Sequence, residues 1–437
     1  MATVKAFKGL RYTQKAGELK DLCCPPYDII SESERQALLN HNENNIIRLE
    51  LPRSFKDSGE TDSNENAYDE AGVVLRNWLD NGVLADDTEE NIYVYEFAFN
   101  YEGTSAAVKG FVGLVKLEEF SKGIVLPHEE TLSKAKTDRF NLMTATGCNF
   151  SQIYSIYSDS DNAVLDILET ATACNPTSEF TDSDGVTHRL WKVSDTAITS
   201  KISQLMADKK VFIADGHHRY ETALNYRNSV KDNDGYSAST ADYVPMMLVS
   251  MEAPGLTVFP THRIVRDLPE SEFDSQSLIA KSAEYFDITQ DLSKDEALSL
   301  SAKACNDGKN AFVLYCGNEK YTLMILKSKS VMAELLPNEH KSLQELDVSV
   351  LHSLVLERTF GIDKANMAAQ KNLTYIKLAE DAINAVDDGR ANCCFLLNAT
   401  KISEIRDVSL AGGKMPQKST YFYPKLTTGL VMNRIFK

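Results

Sequence analysis

The stretch VFIADGHHRYETAL, residues 211–224, holds the densest chemistry in the chain. An apolar run ends at Asp215-Gly216, and His217, His218 and Arg219 follow at once. VFIA has the composition of a short buried strand, and HRYETALNY carries helix-compatible spacing. A strand–turn–helix unit aims the first free N–H groups of its helix at whatever lies in front of them. Such a terminus attracts anions, and Arg219 adds a donor able to grip phosphate with two parallel hydrogen bonds. Asp215 at the turn can orient a histidine or hold a metal ion. The plainer alternative is that Asp215 caps the helix and the histidines are exposed turn residues. Zinc held by His217 and His218 is disfavoured, because adjacent side chains seldom converge on one ion.

Three further stretches carry candidate chemistry. In GIVLPHEETLSKAKTDRFNLM, Pro127 restrains the backbone before His128, Glu129 and Glu130, and Lys136 and Arg139 follow. Carboxylates beside a histidine can supply a general base, and the two cations can supply phosphate contacts. A solvated acidic turn leading into a helix is the competing explanation. In GGKMPQKSTYFYPKLTTGL, Lys418, Ser419 and Thr420 present a cation and two hydroxyls in succession, a set suited to anions. An ordered loop anchored by Tyr421 and Tyr423 is the alternative there. FPTHRIV places His262 and Arg263 among apolar residues, where Arg263 is expected to be a structural arginine in a core ion pair.

The rest of the chain must position these groups. Ser31 and Glu34 have capping-box spacing, so a helix starts after CCPPYDII. The polar run 54–67 reads as a surface loop, and YDEAGVVLRNWLDNGVL as a helix ending near Gly82. NIYVYEFAF and AAVKGFVGLVKL flank NYEGTS and predict an antiparallel pair. Further strands are expected at SQIYSIYS, YVPMMLVSM, AFVLYC, YTLMILK and NCCFLLNA. Helices are expected at TAITSKISQLMADK and at LQELDVSVLHSLVLERTFG, the latter stopped by its glycine. Strands and helices mix without regular alternation, which predicts α+β rather than a doubly wound fold. The expected division is 1–260 and 261–437.

Composition narrows the function classes. With 63 acidic against 46 basic residues, the net charge of −17 disfavours general nucleic-acid binding, which needs clustered Lys and Arg. No stretch approaches the ~20 apolar residues of a membrane span, and MATVKAFKGLRY lacks the apolar core of a signal peptide. Eight cysteines without a CxxC fit reduced thiols better than a disulfide framework. A cytoplasmic globular protein is the expectation.

Taken together, DGHHRYETAL, LPHEET and MPQKSTYFYPKL resemble the signatures of a prokaryotic domain-of-unknown-function family with a ParB/sulfiredoxin-like core. CCPPYDII, IIRLELP and FPTHRIV match that family too, so the resemblance spans nearly the whole chain. The arrangement is also similar, over a smaller part, to the free L-serine kinases of that superfamily. Their late Thr-Thr-Arg-His run is replaced here by PQKSTYFYP. The resemblance implies a ParB/sulfiredoxin-like nucleotide-binding core with a second, mixed α+β domain whose tail returns to the active site. It implies ATP and Mg²⁺ as cofactors and O-phospho-L-serine as product. Glu129 would be the base, with His128 and Asp215 beside it in catalysis. Gly216, His217, His218, Arg219, Lys136 and Arg139 would hold the nucleotide phosphates, and Lys418, Ser419 and Thr420 the acceptor. No Walker A sequence is present, so a helix terminus, Arg and Lys must grip the triphosphate. The alternatives are a nucleotide hydrolase, a kinase for another hydroxylated metabolite, or a non-catalytic ParB-like nucleotide-gated binding protein. The absence of an obvious helix-turn-helix weighs against the last of these.

Overall fold

The computed structural model describes residues 2–53, 66–101, 103–131, 133–269 and 273–436. The polar run expected as a loop lies, over 54–65, outside the described residues. The chain divides into two compact units. One comprises Met1–Pro127, Thr131–Leu256 and Pro424–Lys437; the other comprises His128–Glu130 and Thr257–Tyr423. Helices and large sheets occur in both, consistent with α+β.

In the first unit, nine strands among the described residues form one mixed sheet. Its frame is the pair Ile92–Tyr101 and Thr104–Lys116, antiparallel with Tyr101 opposite Thr104, so the register is set by the tight connection expected at NYEGTS. Glu102 within that connection lies outside the described residues. Tyr243–Ser250 pairs antiparallel with Thr104–Lys116 and parallel with Ile153–Tyr157. Val211–Asp215 then pairs antiparallel with Ile153–Tyr157, with a register shift between Ile213 and Asp215, and parallel with Val125–Leu126. The strand that ends in the candidate chemistry is therefore held on both sides.

Close approach of backbones fixes the middle of this sheet. A Cβ added to Gly110 would sit 2.4 Å from the carbonyl oxygen of Leu248 on the adjacent strand. Gly110→Ala must push these strands apart and is expected to cost about 1–3 kcal/mol. Urea denaturation checks this, and an unchanged midpoint would contradict the contact.

Helix His217–Val230 follows the strand and buries Tyr220, Ala223 and Leu224, at i, i+3 and i+4, in the core with Val211, Ile213 and Met246. The hydroxyl of Tyr220 donates to the carbonyl of Glu118 (2.7 Å) and accepts from its N–H (2.9 Å). Helix Ser133–Thr146 packs against His217–Val230. Farther toward the amino terminus, Ser31 accepts from the Glu34 N–H while Glu34 reaches back to the Ser31 N–H. That is the capping box expected before helix Glu32–His41.

The second unit is built on an antiparallel sheet. Its order is Phe286–Leu292, Tyr321–Leu326, Ala311–Tyr315, Cys393–Leu397, His262–Val265, Leu373–Ile376. A separate pair joins Thr257–Phe259 to Tyr421–Tyr423, with Phe259 and Tyr423 stacked at 4.5 Å. The helix expected at LQELDVSVLHSLVLERTFG is not one regular α-helix. Asp347–Val350 is α-helical, Leu351–Glu357 widens to a π-helix, and the run stops at Gly361 with φ 67°. Wide turns of this kind recur at functional sites.

Candidate functional site

Gly216, with φ 98°, turns the chain from strand to helix. Side chains seldom tolerate this backbone, and a Cβ would also meet the Arg219 guanidinium at 2.9–3.0 Å. Gly216 is itself the N-cap and makes no side-chain cap bond, so Asp215 does not cap the helix. Instead its carboxylate lies between two cations. Oδ2 accepts from Arg219 Nη2 (2.6 Å), and Oδ1 accepts from Lys425 Nζ (2.6 Å). Arg219 also donates to the carbonyl of Gln152. Burial pushes the Asp215 carboxyl up, but Lys425 and Arg219 outweigh it and hold the group well below the ordinary carboxylate range. His217 is buried and His218 half-buried in the first turn, so neither is an exposed turn residue.

Lys136 and Arg139 come from the neighbouring helix and meet different partners. Lys136 pairs with Glu221 (2.8 Å), which also accepts from the hydroxyl of Thr131 (2.8 Å). Arg139 is buried against Asp138 (2.6 Å) and Glu50 (3.5 Å) and lies over the Tyr27 ring at 4.1 Å. Arg139, Glu50, Ser151 and Arg219 line one small cavity of about 30 Å³. Burial raises the pKa of Glu50, with Arg139 and Arg219 opposing.

In the second unit, His128 is buried, and its Nε2 lies 3.0 Å from Thr420 Oγ1. Its carbonyl accepts from the Met415 N–H (2.7 Å). Glu129, half-buried, forms a parallel bridge with Met415, and its carbonyl accepts from Lys414 Nζ (3.2 Å). Ser419 is buried, donates to the Pro416 carbonyl (2.5 Å), and accepts at its own carbonyl from the Thr400 hydroxyl (2.8 Å). Lys418 is exposed, with φ 55°. The PHEE element and the KST element are thus neighbours although nearly 300 positions separate them.

Two residues escaped the sequence reading. Lys425 follows Pro424 inside a stretch already singled out, yet nothing local marks it as the partner of Asp215, 210 positions away. Glu50 lies in IIRLELP, where an apolar surround hides a carboxylate that is only 2% exposed. Among the described residues no cluster of three or more His, Cys, Asp or Glu could hold a metal ion. No helix among them is long and apolar enough to cross a membrane.

The family described as "Protein of unknown function (DUF1015)" matches residues 4–349, and the chain belongs to it. No curated protein matches the sequence. Three solved structures are similar to parts of the chain. A free serine kinase in complex with AMP is 12% identical, covering 69% of this chain and 84% of that one, with a TM-score of 0.35. A conserved hypothetical protein from Pyrococcus furiosus is 15% identical, covering 70% and 89%, with a TM-score of 0.33. SbnI with C-terminal truncation from Staphylococcus aureus is 9% identical, covering 74% and 87%, with a TM-score of 0.35.

Proposed function

We propose that this member of the DUF1015 family is a nucleotide-dependent phosphotransferase that phosphorylates the hydroxyl of free L-serine, with a ParB/sulfiredoxin-like core. One observation carries the reading: Asp215, Arg219 and Lys425 cluster where a buried strand turns into a 14-residue helix. Two cations and a helix amino terminus are what a triphosphate needs in a protein without a Walker A loop. In this reading Arg219 and Lys425 neutralise phosphate oxygens, and the first-turn N–H groups from His217 to Arg219 add donors. Lys136 meets the phosphates from the adjoining helix. Arg139, held by Asp138 and Glu50, acts as a positioning residue behind Arg219.

The residues proposed for the acceptor side belong to the second unit. Glu129 takes the proton of the serine hydroxyl as its oxygen bonds to the γ-phosphorus and the bond to the ADP oxygen breaks. His128 orients Thr420, and Lys418 and Ser419 complete the acceptor wall. Mg²⁺ would supply charge neutralisation on the nucleotide. Asp215 is a single carboxylate, which fits an ion that arrives with the phosphates and keeps most of its waters, not one held in a protein cage.

Incubation with ATP and Mg²⁺, with and without L-serine, tests the reading by ³¹P NMR. The expected result is ADP and O-phosphoserine formed together, only when serine is present. ATP loss without an acceptor would make the protein a hydrolase. Nucleotide binding without turnover would make it a binding protein.

A further inference from the structure

Arg263 is 1% exposed, and no carboxylate among the described residues pairs with it. This overturns the expected core ion pair. The guanidinium donates to the Thr261 carbonyl (2.5 Å) and to His352 Nε2 (3.3 Å), and it lies over the Tyr375 ring at 4.8 Å. A third bond runs to the Gln417 carbonyl (3.5 Å), so these neutral partners use three of the five N–H groups and leave the charge uncompensated. Burial accordingly pulls its pKa down to about 10.

Asp347 presents the opposite case. Its two oxygens accept from the amides of Asn310 (2.7 Å) and Asn398 (3.4 Å), and no cation among the described residues pairs with it. Burial pushes this carboxyl up to about 6. An uncompensated charge out of water is costly, and here a buried cation and a half-buried carboxylate, neither ion-paired, face one cavity. Both residues line one cavity of about 110 Å³ in the second unit, together with Thr261, Asn310, Asn398 and Ser419.

We infer that this cavity is a site for a small zwitterionic α-amino acid, its carboxylate on Arg263 and its ammonium on Asp347. The inference rests on the reading of an amino-acid acceptor and deepens it. The ligand's carboxylate goes to Arg263, while Ser419 links the cavity to the segment that carries Thr420. Size agrees. A water-sized group needs roughly 10–15 Å³ by this measure, so the cavity takes on the order of ten such groups. Serine has about seven non-hydrogen atoms, which fits that allowance; a nucleotide does not.

Calorimetry with L-serine and with L-alanine, both in the absence of nucleotide, tests the site on the full chain. L-alanine keeps both charges and lacks the hydroxyl. Both ligands are expected to bind, and Asp347→Asn and Arg263→Gln are each expected to weaken both by ~10–100-fold, the worth of a charge-assisted hydrogen bond. 3-Hydroxypropanoate, which lacks the ammonium, should lose affinity only in Arg263→Gln. Asp347→Asn is nearly isosteric and keeps the test alive should Arg263→Gln not fold. Failure of L-alanine and L-serine to bind the wild-type protein, or binding unaltered in Asp347→Asn, overturns the site. Binding that follows the predicted pattern without any phosphoryl transfer would keep the site and reject the kinase. Serine kinase activity with an unaltered serine KM in Asp347→Asn would do the reverse.

Discussion

Glu129→Gln is expected to lower serine-dependent kcat by ~10²–10⁴-fold while leaving nucleotide affinity close to that of the wild type. Gln keeps the size and hydrogen-bonding shape of Glu but cannot accept a proton. The local fold should survive the change. The Glu129 backbone is fixed by its bridge to Met415 and by the bond from Lys414 to its carbonyl, neither of which uses the carboxylate. His128 stays buried beside Thr420 in either case. A base acts only on the proton in flight, so its loss falls on kcat rather than on ground-state binding. Stopped assays over a range of serine and ATP concentrations separate the two parameters. Near-normal turnover would move the base elsewhere, with Glu130 and Asp215 the next candidates.

Much of the scaffold was legible because its signals are local. Ser31 and Glu34 declare a helix start through groups three residues apart, and the structure closes that box as expected. The strand–turn–helix at 211–224 is legible for the same reason. Apolar residues run to Asp215, a glycine takes the left-handed turn, and Tyr220, Ala223 and Leu224 mark one helical face. The partners of the charged groups were not legible, because they are set by tertiary packing. Its sequence position leaves Asp215 open as a cap or as a ligand; the fold sets Arg219 and Lys425 on its two oxygens. Lys136 and Arg139 lie three residues apart on one helix, yet one meets Glu221 and the other Asp138 and Glu50. Arg263 shows the limit most clearly. An arginine among apolar residues suggests a buried ion pair, but only the fold reveals that its neighbours are two carbonyls, a histidine and a tyrosine ring. The π-helical widening at Leu351–Glu357 has no sequence signal of its own; the apolar spacing there suits an α-helix equally well.

Asp215→Asn tests the donor half of the site through stability as well as activity. The three side chains keep only 10–17% of their surface in water, so the exposed-pair discount is small. Asn retains the shape but removes the negative charge, leaving Arg219 and Lys425 facing each other. Stripping one partner from a buried ion cluster costs about 3–5 kcal/mol, and the lower end applies where some water remains. The pH dependence has a definite sign. The folded pKa of Asp215 is depressed, so its contribution is complete above the unfolded value of about 3.9 and is lost as pH falls through the folded value. The gap between wild type and variant should therefore be constant from neutrality down to about pH 5 and close only in stronger acid. Urea midpoints measured across that range check it. A phosphate-binding role adds a second expectation. ATP without Mg²⁺ would bring negative charge to two cations that have lost theirs, so it should raise the Tm of Asp215→Asn more than that of the wild type. On the proposed reading, in which Asp215 would approach the Mg²⁺ of the nucleotide, turnover should nonetheless fall. Equal Tm shifts in the two proteins would mean that Arg219 and Lys425 serve only to hold Asp215, and the phosphate grip would have to lie elsewhere.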